Sequence, residues 1–351
     1  MNGVKVNAIT SLPVTSVNCK KKMMKKEIDE ENDILYTYLM TINIPIIKNI
    51  FIILNSFFST LKCLAKDKDA VLICDTLNVS VSAGALLATK IFKRKSIGIV
   101  TDIPILLSRN KNSISVRLNN FIINHFGSYV LLTEQMNKLI NKREVPFALV
   151  EGQVDSGMRS VKNEICNKYS KKVCIYAGGI HKIYGIDYLI KAFIQANLPK
   201  AELHIYGDGD FEIELKEICM RYKQIKYFGV VSNDIIVQEE LKASLLINPR
   251  PTNEEYTKYS FPSKNMEYMA SGTPILTTKL PGMPEEYKEF VYLINDETIE
   301  GLKSALKQVL SKSSEELHHK GLRAKEFVLK NKNNVIQAKK IIDMISKNNS
   351  D

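Results

Sequence analysis

The chain has 351 residues, 45% apolar and 25% charged. That fits about two soluble globular domains of roughly 100–200 residues and excludes a disordered or fibrous chain. Lys and Arg outnumber Asp and Glu by 49 to 38, a formal net charge of +11, of which residues 1–156 carry +7 and 157–351 carry +4. No basic face or reading motif accompanies the excess, so no nucleic acid is expected as a partner.

In chain order, residues 4–10 read as a first strand. The basic run 20–26 passes at once into Glu27, Asp29, Glu30 and Glu31, which suits a solvated loop. The long apolar stretch 42–61 is interrupted by Pro45, Lys48, Asn49, Asn55 and Ser56. A spanning helix wants about 20 mostly apolar residues, so a transmembrane reading is rejected. The stretch suits an amphipathic helix packed in the fold, or one lying at a bilayer surface. Strands at 70–74, 96–100, 128–132 and 147–150 then alternate with helices at 80–92, 116–126 and 134–141. A polar connection follows at 155–172. The alternation restarts with strands at 173–177, 202–206, 225–228, 245–248 and 274–278, and helices at 186–195, 211–222, 235–243 and 263–271. Residues 301–347 read as helical, with Gly321 setting off the last long segment. Strands alternating with helices build βαβ units and parallel sheets, here twice over. The fold class expected is α/β, two doubly wound Rossmann-like domains facing a cleft. Their bounds are 1–156, a linker 157–172, a second domain 173–320 and a C-terminal helix 321–351.

Cys19, Cys63, Cys74, Cys166, Cys174 and Cys219 form no CxxC pair and no zinc-type cluster. Cys63, Cys74 and Cys174 lie in apolar runs, as small hydrophobes do. The pattern suits a reducing cytoplasm, and no metal or cofactor is expected. The first ten residues lack the basic and apolar regions of a signal peptide.

Two segments carry chemistry. In the first, strand 173–177 runs into Gly178, Gly179, His181 and Lys182, a place where backbone N–H groups and cations meet phosphate. It is not G-x-G-x-x-G, so a dinucleotide reading is weak, and a strand followed by a Gly-Gly turn is more often structural. In the second, Tyr259-Ser-Phe-Pro-Ser-Lys264 leads into a short helix that Ser263 can N-cap and Gly272 can end. Lys264 in the first turn suits an anionic diphosphate, and Glu267 one turn later suits two sugar hydroxyls. On spacing alone a surface helix with ordinary charges explains the same residues.

The run from Val173 to about Leu310 resembles the retaining family-four glycosyltransferases of the GT-B fold, in the branch that makes capsular and exopolysaccharides. The matching residues are Tyr176-Ala-Gly-Gly-Ile180, Tyr184-Gly-Ile-Asp-Tyr-Leu-Ile-Lys-Ala-Phe193, Leu203-His-Ile-Tyr-Gly-Asp-Gly209, Phe228-Gly-Val230, Glu267-Tyr-Met-Ala-Ser-Gly-Thr-Pro-Ile275 and Pro281-Gly-Met-Pro-Glu285. Val100-Thr-Asp-Ile-Pro104 and Val150-Glu-Gly-Gln-Val-Asp155 resemble its acceptor-side loop and the loop before its linker. The resemblance implies sugar transfer, with retention, from a nucleotide-sugar to a lipid-linked saccharide acceptor, in the cytoplasm or peripherally at the inner face of the membrane. It implies donor binding by Gly178, Gly179, His181, Lys182, Gly229, Val230, Tyr259, Ser260, Phe261, Pro262, Ser263 and Glu267, with Asp102 and Lys264 as catalytic candidates. Glu267 corresponds to the second Glu of the E-x7-E motif. Tyr259 stands where the first would be, and Gly179 and Tyr184 stand where the family's diphosphate-gripping Arg and Lys would be. His181, Lys182 and Lys264 are the substitute cations. Gly3–Thr10 resembles the family's second strand, so an N-terminal domain without the first strand and Gly-rich loop is expected. A non-catalytic nucleotide-sugar-binding protein and a nucleotide-sugar epimerase remain alternatives.

Overall fold

The computed structural model describes residues 4–14, 19–31, 34–44, 47–107 and 113–347. Gly3, Pro45 and the last four residues of the expected C-terminal helix lie outside them. The chain divides into two compact units, Met1–Val150 with Ala338–Asp351, and Glu151–Gln337.

The first unit runs β1 (Asn7–Ser11), β2 (Met23–Met24), β3 (Glu27–Glu31), β4 (Ile34–Leu39), β5 (Thr41–Ile42), α1 (Ile47–Lys66), β6 (Leu72–Asp75), α2 (Val79–Ile91), β7 (Ser96–Val100), α3 (Pro104–Leu107), α4 (Ile114–Ile123), β8 (Ser128–Leu131), α5 (Glu134–Ile140) and β9 (Phe147–Leu149). β6 to β9 form a parallel sheet in that order, and Ile97, Val130 and Ala148 bury one face of it. β1 pairs parallel to β4, with β3 antiparallel on the other side of β4. Among the described residues no strand pairs with the second edge of β1 or of β6. The four acidic residues expected in a loop instead form β3 together with Ile28, every residue of it exposed; an edge strand tolerates charge on both faces. Cys63, expected among core hydrophobes, is exposed on α1, while Cys74 and Cys174 are buried.

α1 is by length and composition long enough and apolar enough to cross a membrane, and only 22% of its most apolar window is buried. Asn55 and Ser56, which argued against that at the sequence level, sit among enough Ile, Leu and Phe to leave the average apolar. Its buried positions, Ile52, Ser56, Thr60 and Leu64, recur every fourth residue on one face. That face meets α2 closely. Ser56 Oγ donates to Val81 O at 2.7 Å, and a Cβ on Gly84 would stand 2.2 Å from Ile53 O.

In the second unit, β10 (Lys172–Ala177), β11 (Ala201–Tyr206), β12 (Ile225–Tyr227), β13 (Leu245–Asn248), β14 (Ile275–Thr278) and β15 (Tyr292–Ile294) form one parallel sheet. The helices are α6 (Ile186–Ala196), α7 (Glu212–Arg221), α8 (Asn233–Lys242), α9 (Ser263–Ser271), α10 (Ile299–Leu310) and α11 (Ser314–Asn331), and α12 (Asn334–Lys347) returns the chain to the first unit. Both faces of the sheet are covered, which is why its strands read as continuous apolar runs. Cys174, Leu203 and Leu245 pack with Leu189, Leu215 and Leu306 on one side; Val173, Leu246 and Ile275 pack with Met269 and Val328 on the other. The strand order, β12-β11-β10-β13-β14-β15, reverses direction between β10 and β13.

Two expected boundaries move. The polar connection belongs to the second unit, since Asn163 Nδ2 donates to Ser271 O at 2.9 Å and Lys168 Nζ to Ala243 O at 2.9 Å. Gly321 does not set off a last helix but lies inside α11. There a Cβ would stand 2.1 Å from Gly272 O, so its hydrogen lets α11 press on the end of α9. The helices part instead at Lys332–Asn333.

Candidate active site

In an open α/β sheet, ligands bind beyond the carboxyl ends of the strands where the order reverses. Here that point lies between the turn after β10 and the segment after β13. The Gly178 N–H donates to Tyr206 O at 3.0 Å and the Ile180 N–H to Asp208 O at 2.6 Å. Gly178 has therefore spent its donor, whereas the Gly179 and His181 N–H groups have no partner among the described residues. Tyr176 Oη donates to Gly179 O at 2.7 Å from below. Gly207, at φ +124°, presses against the same turn, where a Cβ would stand 1.9 Å from Gly178 O.

The substitute cations are engaged. His181 Nδ1 lies 3.2 Å from Asp210, and Lys182 Nζ lies 2.7 Å from Glu214. The Glu214 hydrogen bond holds the Lys182 ammonium above its ordinary pKa. Lys264 Nζ meets Glu267 Oε2 at 2.7 Å across one turn of α9. Ser263 is not the cap. Pro262, with φ fixed near the helical value, occupies that position, and Ser263 is the first helical residue with no capping bond. Gly272 ends the helix at φ +80° as expected.

The remaining candidates are scattered in role. Phe261 is buried with its ring 4.8 Å from Tyr287, so it is a packing residue. Pro262 is buried as well. Tyr259 and Ser260 are half-buried, with Ser260 Oγ toward Tyr256 O at 3.4 Å. Gly229 accepts the Gly207 N–H at 2.8 Å, and Val230 is exposed beside it. Asp102 lies in the first unit, half-buried, two residues beyond the carboxyl end of β7.

Two residues at the site were not singled out by sequence. Arg250 follows Pro249 at the end of β13, its guanidinium 4.7 Å from the Tyr184 ring centre and 5.6 Å from that of Tyr256. It has no carboxylate partner among the described residues. A Cβ on Gly185, at φ +81°, would stand 2.3 Å from Pro249 O, so the Arg250 segment and the Tyr184–Gly185 turn fit only without a side chain there. Tyr184 also lines Gly179. Asn248 Nδ2 donates to Asn265 Oδ1 at 2.7 Å and ties the same segment to the first turn of α9. The available sequence signal was a cation two residues past a strand end. The second residue is Glu240 on α8, 2% exposed, its Oε1 without a partner. Burial pushes its carboxyl up to about 8; the charge of Lys264 opposes this and that of Glu267 adds to it.

This is a doubly wound α/β domain whose switch point gathers the Gly179 N–H and the Arg250 guanidinium. Residues 171–312 match the family model described as Glycosyl transferases group 1. That match supports a transferase, and the α/β fold is shared with GT-B glycosyltransferase structures. Anabaena HepE in complex with UDP is 14% identical, with a TM-score of 0.64 over 83% of this chain and 82% of that one. Sucrose-phosphate synthase from Thermosynechococcus elongatus is 13% identical, with a TM-score of 0.70 over 99% and 90%. The lipopolysaccharide outer core galactosyltransferase WaaB is 15% identical, with a TM-score of 0.63 over 90% and 85%. At such identities the likeness is one of fold. No curated protein matches the chain in sequence.

Proposed function

We propose that the protein transfers a sugar, with retention, from a nucleotide-sugar to a lipid-linked saccharide acceptor in cell-surface polysaccharide synthesis, at the cytoplasmic face of the membrane. The observation that carries the reading is the convergence, at one switch point, of the free Gly179 N–H, the carboxylate-free Arg250 and the first turn of α9, within a domain matching group 1 glycosyl transferases. The UDP held by Anabaena HepE supports a uridine diphosphate donor.

In this reading Glu267 accepts hydroxyls of the ribose, and the diphosphate lies between the Gly179 N–H and Arg250. Negative charge grows on the departing diphosphate as the glycosyl bond breaks. Preorganised donors aimed at that charge supply the largest catalytic share, about 3–4 kcal/mol each where well placed. Lys264, released from Glu267 when the ribose takes its carboxylate, adds a second cation to the leaving group. Asp102 is the acceptor-side candidate.

The test is calorimetric titration of the full chain with UDP, UMP and other nucleoside diphosphates. Charge-assisted hydrogen bonds are worth about 1.5–3 kcal/mol, so Arg250→Gln should weaken UDP about 10- to 100-fold and UMP much less. Equal loss for UDP and UMP, or no nucleotide binding by the parent, would overturn the assignment.

A further inference from the structure

The outer side of α1 is more apolar than the side it buries. Ile47, Ile50, Leu54 and Phe58 are each about half exposed, at 49, 56, 49 and 57%, and recur at a spacing that aligns them along one stripe. At about 100° per residue that stripe lies opposite the Ile52, Ser56, Thr60 and Leu64 face packed on α2. α2 adds Leu87 and Ile91, exposed one turn apart, and then Phe92. The two helices run side by side in the same direction, since Asn49 meets Ser80 near their starts and Ile53 and Phe57 meet Gly84 further along. Their carboxyl-terminal ends therefore share one end of the layer. Lys62, Lys66 and Lys68 on one, with Lys90 and Lys93 on the other, are all exposed there. None of the five has an ion-pair partner among the described residues, and the nearby acids in sequence are Asp67 and Asp69.

A helix with an apolar stripe outward, a packed face inward and lysines beside the stripe has the make-up of an interfacial helix, with its ammonium groups reaching the headgroup layer. We propose that the outer faces of α1 and α2 are a docking surface for an anionic lipid bilayer. The charge decides the occupant. An apolar stripe alone suits a protein partner equally, whereas five unpaired lysines at one end match a negatively charged surface, each contributing about 1 kcal/mol near it. Ser56, Thr60 and Gly84 keep α1 seated on α2, so the helix lies on the bilayer and does not cross it. The proposal deepens the reading of the acceptor as lipid-linked, because a docked enzyme meets such an acceptor in two dimensions.

The experiment is co-sedimentation of the full chain with phosphatidylcholine vesicles, with and without about one-third phosphatidylglycerol. The parent is compared with the triple variant Leu54→Ser, Phe58→Ser, Ile91→Ser, whose sites are exposed, and with a triple charge variant Lys62→Gln, Lys66→Gln, Lys90→Gln. The expected result is binding that needs the anionic lipid, falls about tenfold or more in each variant, and weakens as salt rises. Circular dichroism and unchanged UDP titration establish that both variants are folded. Binding that survives both variants, or a parent that resists high-salt extraction as a spanning protein does, would overturn the proposal. So would self-association lost in the apolar variant with no vesicle binding by the parent. Vesicle binding without UDP binding would instead count against the donor reading and leave the docking surface standing.

Discussion

Glu240→Gln should change how stability depends on pH. Glu240 is 2% exposed, and burial moves its pKa from the ordinary 4.5 to about 8. Between those values the folded protein holds a proton that the unfolded chain releases, so folding becomes less favourable as pH rises through the window. The stability present below about pH 4.5 is lost progressively up to pH 8. At roughly 1.36 kcal/mol per pH unit, the full loss is about 4–5 kcal/mol, with about 3 kcal/mol already gone by pH 7. Gln cannot ionise. Its offset from the parent at low pH reports any packing or hydrogen-bond difference, and only the change in that offset with pH reports the titration. Urea unfolding of both proteins from pH 5 to 8.5 should show the variant gaining on the parent by several kcal/mol across the range. Taking the difference removes Lys168, whose buried ammonium is pushed down to about 7 and acts in the opposite sense above that pH. Parallel profiles for the two proteins would refute the reasoning: they would mean that Glu240 is hydrated, or ionised and paired, in the folded state.

Glu267→Ala should weaken UDP binding with little change in thermal stability, because the side chain is exposed and Gly272 still ends the helix; an unchanged dissociation constant would remove Glu267 from the ribose site. Lys264→Ala should lower kcat more than it raises the donor KM, as expected of a group whose contact strengthens with charge on the leaving diphosphate; a KM effect alone would make it a uniform binding contact. Gly185→Ala should cost at least about 1 kcal/mol from the positive φ alone and more from the Pro249 carbonyl, read as a lower unfolding midpoint, and it should also weaken UDP by displacing Arg250. Lys332→Met should destabilise by about 3–5 kcal/mol, since it strands Glu151, which is buried with Lys332 and also accepts from Tyr287 Oη at 3.0 Å.

The strands and helices of the second unit were legible because their sequence pattern is set locally. Residues 173–177 and 245–247 are unbroken apolar runs because a parallel strand covered on both faces needs them, and Gly272 stops α9 because only glycine adopts φ +80° there at little cost. The Gly178-Gly179 turn and the α9 segment were legible for the same reason. What the tertiary structure decided is which polar groups are free. His181 and Lys182 read as phosphate cations until Asp210 and Glu214, about thirty residues on, come within ion-pair distance. Phe261 read as a site residue until Tyr287 packed on it, and Gly321 read as a break until α11 pressed on Gly272. Arg250 could be recognised only once β13 stood beside β10 and set its guanidinium on Tyr184. Local pattern fixes where the chain turns and which face is apolar. Burial and charge pairing depend on distances between elements far apart in sequence, and only the folded sheet sets those.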